Sequence, residues 1–205
     1  EIENGESPIR AHWAGLSAAM PILLLILAMA VARQFDQAML PLLVQELHGS
    51  LQGVSVWTGS LSAVGGIAGL LAAPILGRLA DRIPPPKIGK MSALGAGLLM
   101  MPQGLAHGFL LLFASRFGMV FCAGGLDPVF QIWLSRVTPE HKRGAVFGWA
   151  ATARSLGWVV APLVSGLVAS GLGIRSVFFI GGMLFFCIVP LISAVVKRLN
   201  ATAVD

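Results

Sequence analysis

Charge is scarce in this sequence. Asp, Glu, Lys and Arg make up 11% of 205 residues, where a soluble domain carries about a quarter, so an ordinary water-facing surface is excluded. Tyrosine is absent. Cysteine occurs twice, at Cys122 and Cys187, each deep in an apolar run and without CxxC or Cys/His spacing. Both read as buried thiols, which excludes a disulfide framework and a cysteine metal site. The four histidines, His12, His48, His107 and His141, stand near segment ends with no metal-ligand spacing. There is no HExxH, phosphate-binding loop or Ser/His/Asp arrangement, so no metal, cofactor or enzyme activity is expected. A nucleotide-binding domain is also missing, which disfavours an ATP-driven pump unless a separate protein supplies one. The net charge of +5 forms no basic stripe interleaved with aromatics, and no nucleic-acid partner is expected.

What is abundant is apolar chain: 56% of residues are hydrophobic and the mean hydropathy is +0.83. Such values describe an integral membrane protein in contact with a lipid bilayer. A spanning helix needs about 20 mainly apolar residues, and six segments qualify, at 17–45, 55–78, 88–106, 108–134, 145–170 and 175–196. They are rich in Gly, Ala and Ser, which lets membrane helices approach closely. The third and fourth are separated only by about His107-Gly108, which predicts a tight antiparallel pair. The runs are too long and too unalternating for barrel strands. On one side of this topology lie Arg10, Arg78, Arg82, Lys87, Lys90, Arg136, Lys142, Arg143, Lys197 and Arg198; on the other lies Arg175. That asymmetry predicts cytoplasmic termini. Trp13, Trp57 and Trp133 fall near predicted span ends, as interfacial aromatics do. The chain begins at Glu1 rather than Met, which reads as an excerpt of something longer. The acidic start and the over-long first apolar segment argue against a signal peptide.

Gly77-Arg78-Leu79-Ala80-Asp81-Arg82 resembles the G-x-L-a-D-R-x-G-R/K signature of the major facilitator superfamily. In that family the signature joins the second and third helices of each six-helix half on the cytoplasmic side, the position it holds here. The pattern departs at Pro84, where the family has Gly, and at Pro85, which replaces a common basic residue. Gly157 to Gly166, with Pro162 between them and Ala161 in place of a glycine, is similar to the G-x-x-x-G-P-x-x-x-G motif of exporters in the superfamily. Arg116-Phe117 opens the fourth span as an arginine does in the family, with Val120 where a glycine is usual.

The resemblance implies an all-α membrane protein forming one half of a twelve-helix fold. The ending after six spans suits the C-terminal half, with 1–16 as a tail or inter-half linker, 17–198 as the six-helix domain and 199–205 as a cytoplasmic tail. It implies a second half in the same full-length chain, or a second copy, as partner. The motifs resemble drug:proton antiporters, so the implied activity is efflux of small amphipathic compounds across a bacterial inner membrane. The energy source would be the proton gradient, with no bound cofactor. Gly77, Asp81 and Arg82 would belong to a cytoplasmic gate, Asp81 meeting a helix N-terminus of the other half, where a carboxylate is favoured. An uptake symporter for a metabolite or sugar, and a non-transporting six-helix scaffold subunit, remain alternatives.

Five ionisable residues fall inside the predicted spans: Arg33, Asp36, Arg116, Asp127 and Arg154. Each costs about 2.5–3.5 kcal/mol if unpaired at the bilayer centre, so they mark functional or paired positions. Arg33, Asp36 and Gln37 share a helical face by spacing, which allows a self-neutralising pair or a polar patch on a substrate pathway. Asp36, with only this local partner, is the expected proton carrier. Arg116, Asp127 and Gln131 form a stripe on the fourth span. Asp127-Pro128 after Gly124-Gly125 reads either as an N-cap on a restarted helix or as part of the pathway. Asp127 and Arg154 lie at matching depth on consecutive antiparallel spans, about 14–15 Å in, which predicts an ion pair. Gln103 and Trp158 read as substrate contacts or as ordinary packing, and the eight methionines as adaptable filling.

Overall fold

Prolines and glycines set where the helices begin, break and touch. The computed structural model describes residues 8–201, with side chains from Ala19 to Leu199. Residues 1–7 and 202–205, and the side chains of Arg10, His12 and Trp13, lie outside the described residues, so the expected tails are not assessed. The described chain is all-α: α1 (Pro8–Gln34), α2 (Leu40–His48), α3 (Val54–Arg82), α4 (Pro85–Gly104), α5 (Phe109–Gly124), α6 (Leu126–Val137), α7 (Arg143–Leu172) and α8 (Ile174–Ala201), with a 3-10 turn at Glu140–Lys142.

Among the described residues, four stretches are long and apolar enough to cross a membrane: Val54–Arg82, Phe109–Val137, Glu140–Leu172 and Ile174–Leu199. The α4 helix, carrying Lys87 and Lys90, is not among them, and Ala19–Gln34 is a shorter apolar helix. The segment expected as one span at 17–45 is two helices. The first ends at Gln34, and Pro41 stands in the first turn of the second, where its missing N–H costs little. A tight turn joins them, in which Met39 N–H and Leu40 N–H both bond to Asp36 O at 3.0 Å. The fourth span breaks at Gly125, as its two glycines suggest, and resumes at Leu126.

The charged stretch at 77–90 is less of a loop than its composition implies. The α3 helix runs through Asp81 to Arg82, and only Ile83-Pro84 connects it to α4. Pro85 occupies the first helical position, where a missing N–H costs little. Arg136 at the end of α6 donates to Ala80 O at 3.3 Å, pinning the last turn of α3.

The densest packing pairs α4 with α8 and α5, α1 with α7, and α3 with α5. The central core takes Ile22, Ile26 and Met29 from α1, Met100 from α4, Phe130 from α6 and Phe185 from α8. Trp133, expected at an interface, is buried in this core, stacked near Phe130. Cys187 is exposed rather than buried, while Cys122 packs at the α4–α5 contact. At one end of the molecule Trp57 stacks on Phe109 at 4.2 Å beside His48.

Two helix pairs depend on absent side chains. A methyl on Gly97 would meet Gly182 O at 2.9 Å, and one on Gly182 would meet Gly97 O at 3.1 Å, so the α4 and α8 backbones touch. A methyl on Gly157 would lie 2.6 Å from Ala30 Cβ, so α7 seats on α1 the same way. Gly97→Ala in the full-length protein is therefore expected to lose about 1–3 kcal/mol through overpacking. Gly66→Ala, which meets nothing within 4 Å, should lose nothing and gain helix propensity of up to about 1 kcal/mol. Thermal melting in detergent compares the two, and equal melting would contradict the close approach.

Candidate functional site

The five charges within the expected spans assemble into two groups that tie the first span to the fourth and fifth. Arg116 Nη1 donates to Asp36 Oδ2, and Arg33 Nη1 donates to Asp127 Oδ2. Arg154 Nε stands 3.5 Å from Asp127 Oδ1, the pairing that equal depth predicts. The local pair of Arg33 with Asp36, one of the two readings their spacing allowed, does not form. Its i, i+3 geometry required a continuous helix, but α1 ends at Gln34 and Asp36 falls in the turn before Pro41. Each residue instead finds a partner on the antiparallel fourth span, 94 and 80 residues away.

The two groups differ in solvation. Asp36 and Arg116 side chains are 0% and 3% exposed, whereas Arg33, Asp127 and Arg154 are 31%, 26% and 28% exposed. The first pair is a sealed contact, with Asp36 Oδ1 and Arg116 Nε lacking a hydrogen-bond partner among the described residues. The second group lines a cavity of about 90 Å³ with Met29, Ala30, Gln34 and Trp158. Sequence spacing had favoured Asp36 over Asp127 as the proton carrier; in the structure Asp36 is sealed and Asp127 is the partly exposed carboxylate.

Asp127 is not an N-cap. Gly125 holds that position, Asp127 sits inside the first turn of α6, and no side-chain cap bond forms. Its carboxylate is occupied by the two arginines instead. Gln37 is exposed and outside the cavity lining, where Gln34 stands in its place. Gln131 lies a turn beyond Asp127 and is also outside the lining. Gln103 is fully buried and bonds Leu99 O at 3.4 Å, so it packs, while half-exposed Trp158 forms a cavity wall.

The two sequence motifs divide in the same way. Of the export-type residues, Gly157 packs on α1, whereas Gly166 has open space beside its Cα and Pro162 lies inside α7. At the gate-type motif, Gly77 likewise has nothing against it. Asp81 and Arg82 are exposed and line a surface groove with Ile75, Arg78 and Leu79.

One residue of structural weight escaped the sequence reading. Arg175, counted as the lone basic residue on its side, donates from Nη1 to Gly104 O and Ala106 O, both at 2.9 Å, and from Nε to Glu46 Oε1 at 2.9 Å. It closes the C-terminal end of α4, where unsatisfied carbonyls favour a cation. A basic residue just after Gly173 and facing a short α4–α5 turn was the available signal.

Comparison with known proteins agrees with this architecture. The family model described as Major Facilitator Superfamily matches residues 13–203. A protein named Multidrug resistance protein MdtG from Rahnella sp. (strain Y9602) is 37% identical over 145 residues, covering 70% of this chain and 35% of that protein. Proteins of the same name from Klebsiella pneumoniae (strain 342) and Escherichia coli (strain K12 / DH10B) are each 33% identical over 148 residues, 72% of this chain and 36% of theirs. The match thus spans about a third of the length of these relatives.

Breaking the sealed pair should be costly. Removing one partner of a buried ion pair typically costs about 3–5 kcal/mol because the other charge is left uncompensated. Arg116→Gln in the full-length protein is expected to melt far below wild type, and the Asp36→Asn/Arg116→Gln double variant to recover part of the loss. A double-mutant cycle by thermal melting measures the coupling, and additive single effects would contradict a direct pair.

Proposed function

The chain belongs to the Major Facilitator Superfamily, a family of membrane transporters rather than enzymes, and from that premise we propose that it is one six-helix half of a secondary exporter of small amphipathic organic compounds. The protein is integral to the membrane, and the bacterial inner membrane fits its relatives. The full spanning unit is six segments, with α1–α2 and α5–α6 each acting as one interrupted span. Both termini lie in the cytoplasm, on the side richer in Lys and Arg. A second six-helix half completes the pathway, and the two halves rock about the central site to expose it alternately to each side. Exposed Asp81 and Arg82 meet that other half in the inward-closed state.

The observation that carries this reading is the Arg33–Asp127–Arg154 group in a cavity between α1, α6 and α7. Three partly exposed charges at mid-span depth are costly, and their exposure suits a substrate pathway rather than a purely structural contact. The energy source is the proton gradient. Asp127 is the carboxylate that reaches the cavity, so its proton occupancy sets the charge of the site; Asp36, sealed against Arg116, holds the helices together.

Gradient-dependent efflux of a dye panel from cells making the full-length protein tests the proposal. Export should stop when a protonophore collapses the gradient. Asp127→Asn should reach the membrane in near-normal amount yet lose gradient dependence, whereas Asp36→Asn should fail by reduced folded protein. Export of the dyes unaffected by the protonophore would sink the energy assignment. An Asp36→Asn protein that is abundant but uncoupled would reverse the roles of the two carboxylates.

A further inference from the structure

The cavity carries more positive charge than its own acid can balance. Arginine stays protonated in proteins, so Arg33 and Arg154 face the single carboxylate of Asp127. The neighbouring Asp36–Arg116 pair is already neutral and sealed, and contributes no spare carboxylate. The surplus falls on Arg154. Arg33 holds Asp127 Oδ2 by a hydrogen bond, while Arg154 Nε is within ion-pair range of Oδ1 but makes no hydrogen bond to any described residue. A buried guanidinium nitrogen without an acceptor is costly, and an incoming oxyanion removes that cost. Guanidinium presents several N–H donors in a planar fork matched to such oxyanions.

From this we infer that the cavity binds the head of an amphipathic organic anion, a carboxylate or sulfonate, on the Arg154 guanidinium, with the apolar body lying along Trp158. The inference deepens the export reading above and rests on it for the route by which ligand arrives. Size supports the division of labour. A cavity of about 90 Å³ is well below the roughly 300–1,000 Å³ of pockets that enclose a whole organic ligand, and suits an oxyanion head. Met29, Ala30 and half-exposed Trp158 supply the apolar side of the opening. Ligand and Asp127 draw on the same guanidinium, so the carboxylate competes with the anion for Arg154.

Calorimetry on the purified full-length protein in nanodiscs tests this with two probes of matched shape, 2-naphthalenesulfonate and 2-naphthyltrimethylammonium. The sulfonate should bind at least tenfold more tightly than the ammonium. Arg154→Gln should weaken the sulfonate at least tenfold, and Arg154→Lys, which keeps the charge without the fork, should fall between. Asp127→Asn should bind the sulfonate as tightly as wild type or more so, because a competing carboxylate is gone. Preference for the ammonium, its loss in Asp127→Asn, binding of neither probe, or sulfonate binding indifferent to Arg154→Gln would each overturn the inference. Dye efflux by the same preparations separates the two readings. Export of cationic dyes without sulfonate binding leaves the exporter and removes the anion site. Arg154-dependent sulfonate binding without any export leaves the site and removes the exporter.

Discussion

An ionised group in an apolar interior must be paired, and the Asp36–Arg116 contact is where this constraint shapes the molecule most. Taking either charge out of water costs several kcal/mol, recovered only when the partner is in place. The contact therefore fixes the turn between α1 and α2 against α5, and with it the height at which α1 enters the bundle. That height brings Arg33 to Asp127 and lets the Gly157 face of α7 seat on Ala30. A buried pair of this kind adds little net stability over apolar packing, but it admits one register of the first span against the fourth.

Both polar groups sit at helix interruptions. Asp36 lies in the turn between α1 and α2, and Asp127 lies just past the break at Gly125. An interrupted helix in a membrane leaves backbone groups that must be satisfied by side chains or water, so such breaks are tolerated only inside protein or along a polar cavity. The sequence thus uses one device twice: a local break relieves the helical constraint on direction, and the adjacent charge is aimed across the bundle instead of along its own helix.

Much of this was legible in the residues alone. Most helix positions followed from apolar runs, the short α4–α5 connection from the gap around His107-Gly108, and the Asp127–Arg154 pairing from equal depth on antiparallel neighbours. The misreadings share a cause. The Arg33–Asp36 pair and the Asp127 cap were both local rules, based on spacing within one helix. Partners 80 and 94 residues away prevailed because the local geometry was broken where the rule assumed continuity. Pro41 was the visible warning for the first. Arg175 was missed for a related reason: its acceptors are the carbonyls Gly104 O and Ala106 O and the carboxylate of Glu46, all distant in sequence. Cys187 and Trp133 show that depth in an apolar run predicts membrane location but not which way a side chain points.

The surplus guanidinium gives the molecule an electrical polarity as well as a chemical one. With Arg33, Arg116 and Arg154 set against Asp36 and Asp127, an empty site carries one uncompensated positive charge, and an anion in the cavity cancels it. One elementary charge crossing the whole membrane exchanges about 2.3 kcal/mol per 100 mV with the field. An empty site therefore feels the membrane potential, whereas one filled by a singly charged anion is neutral to it.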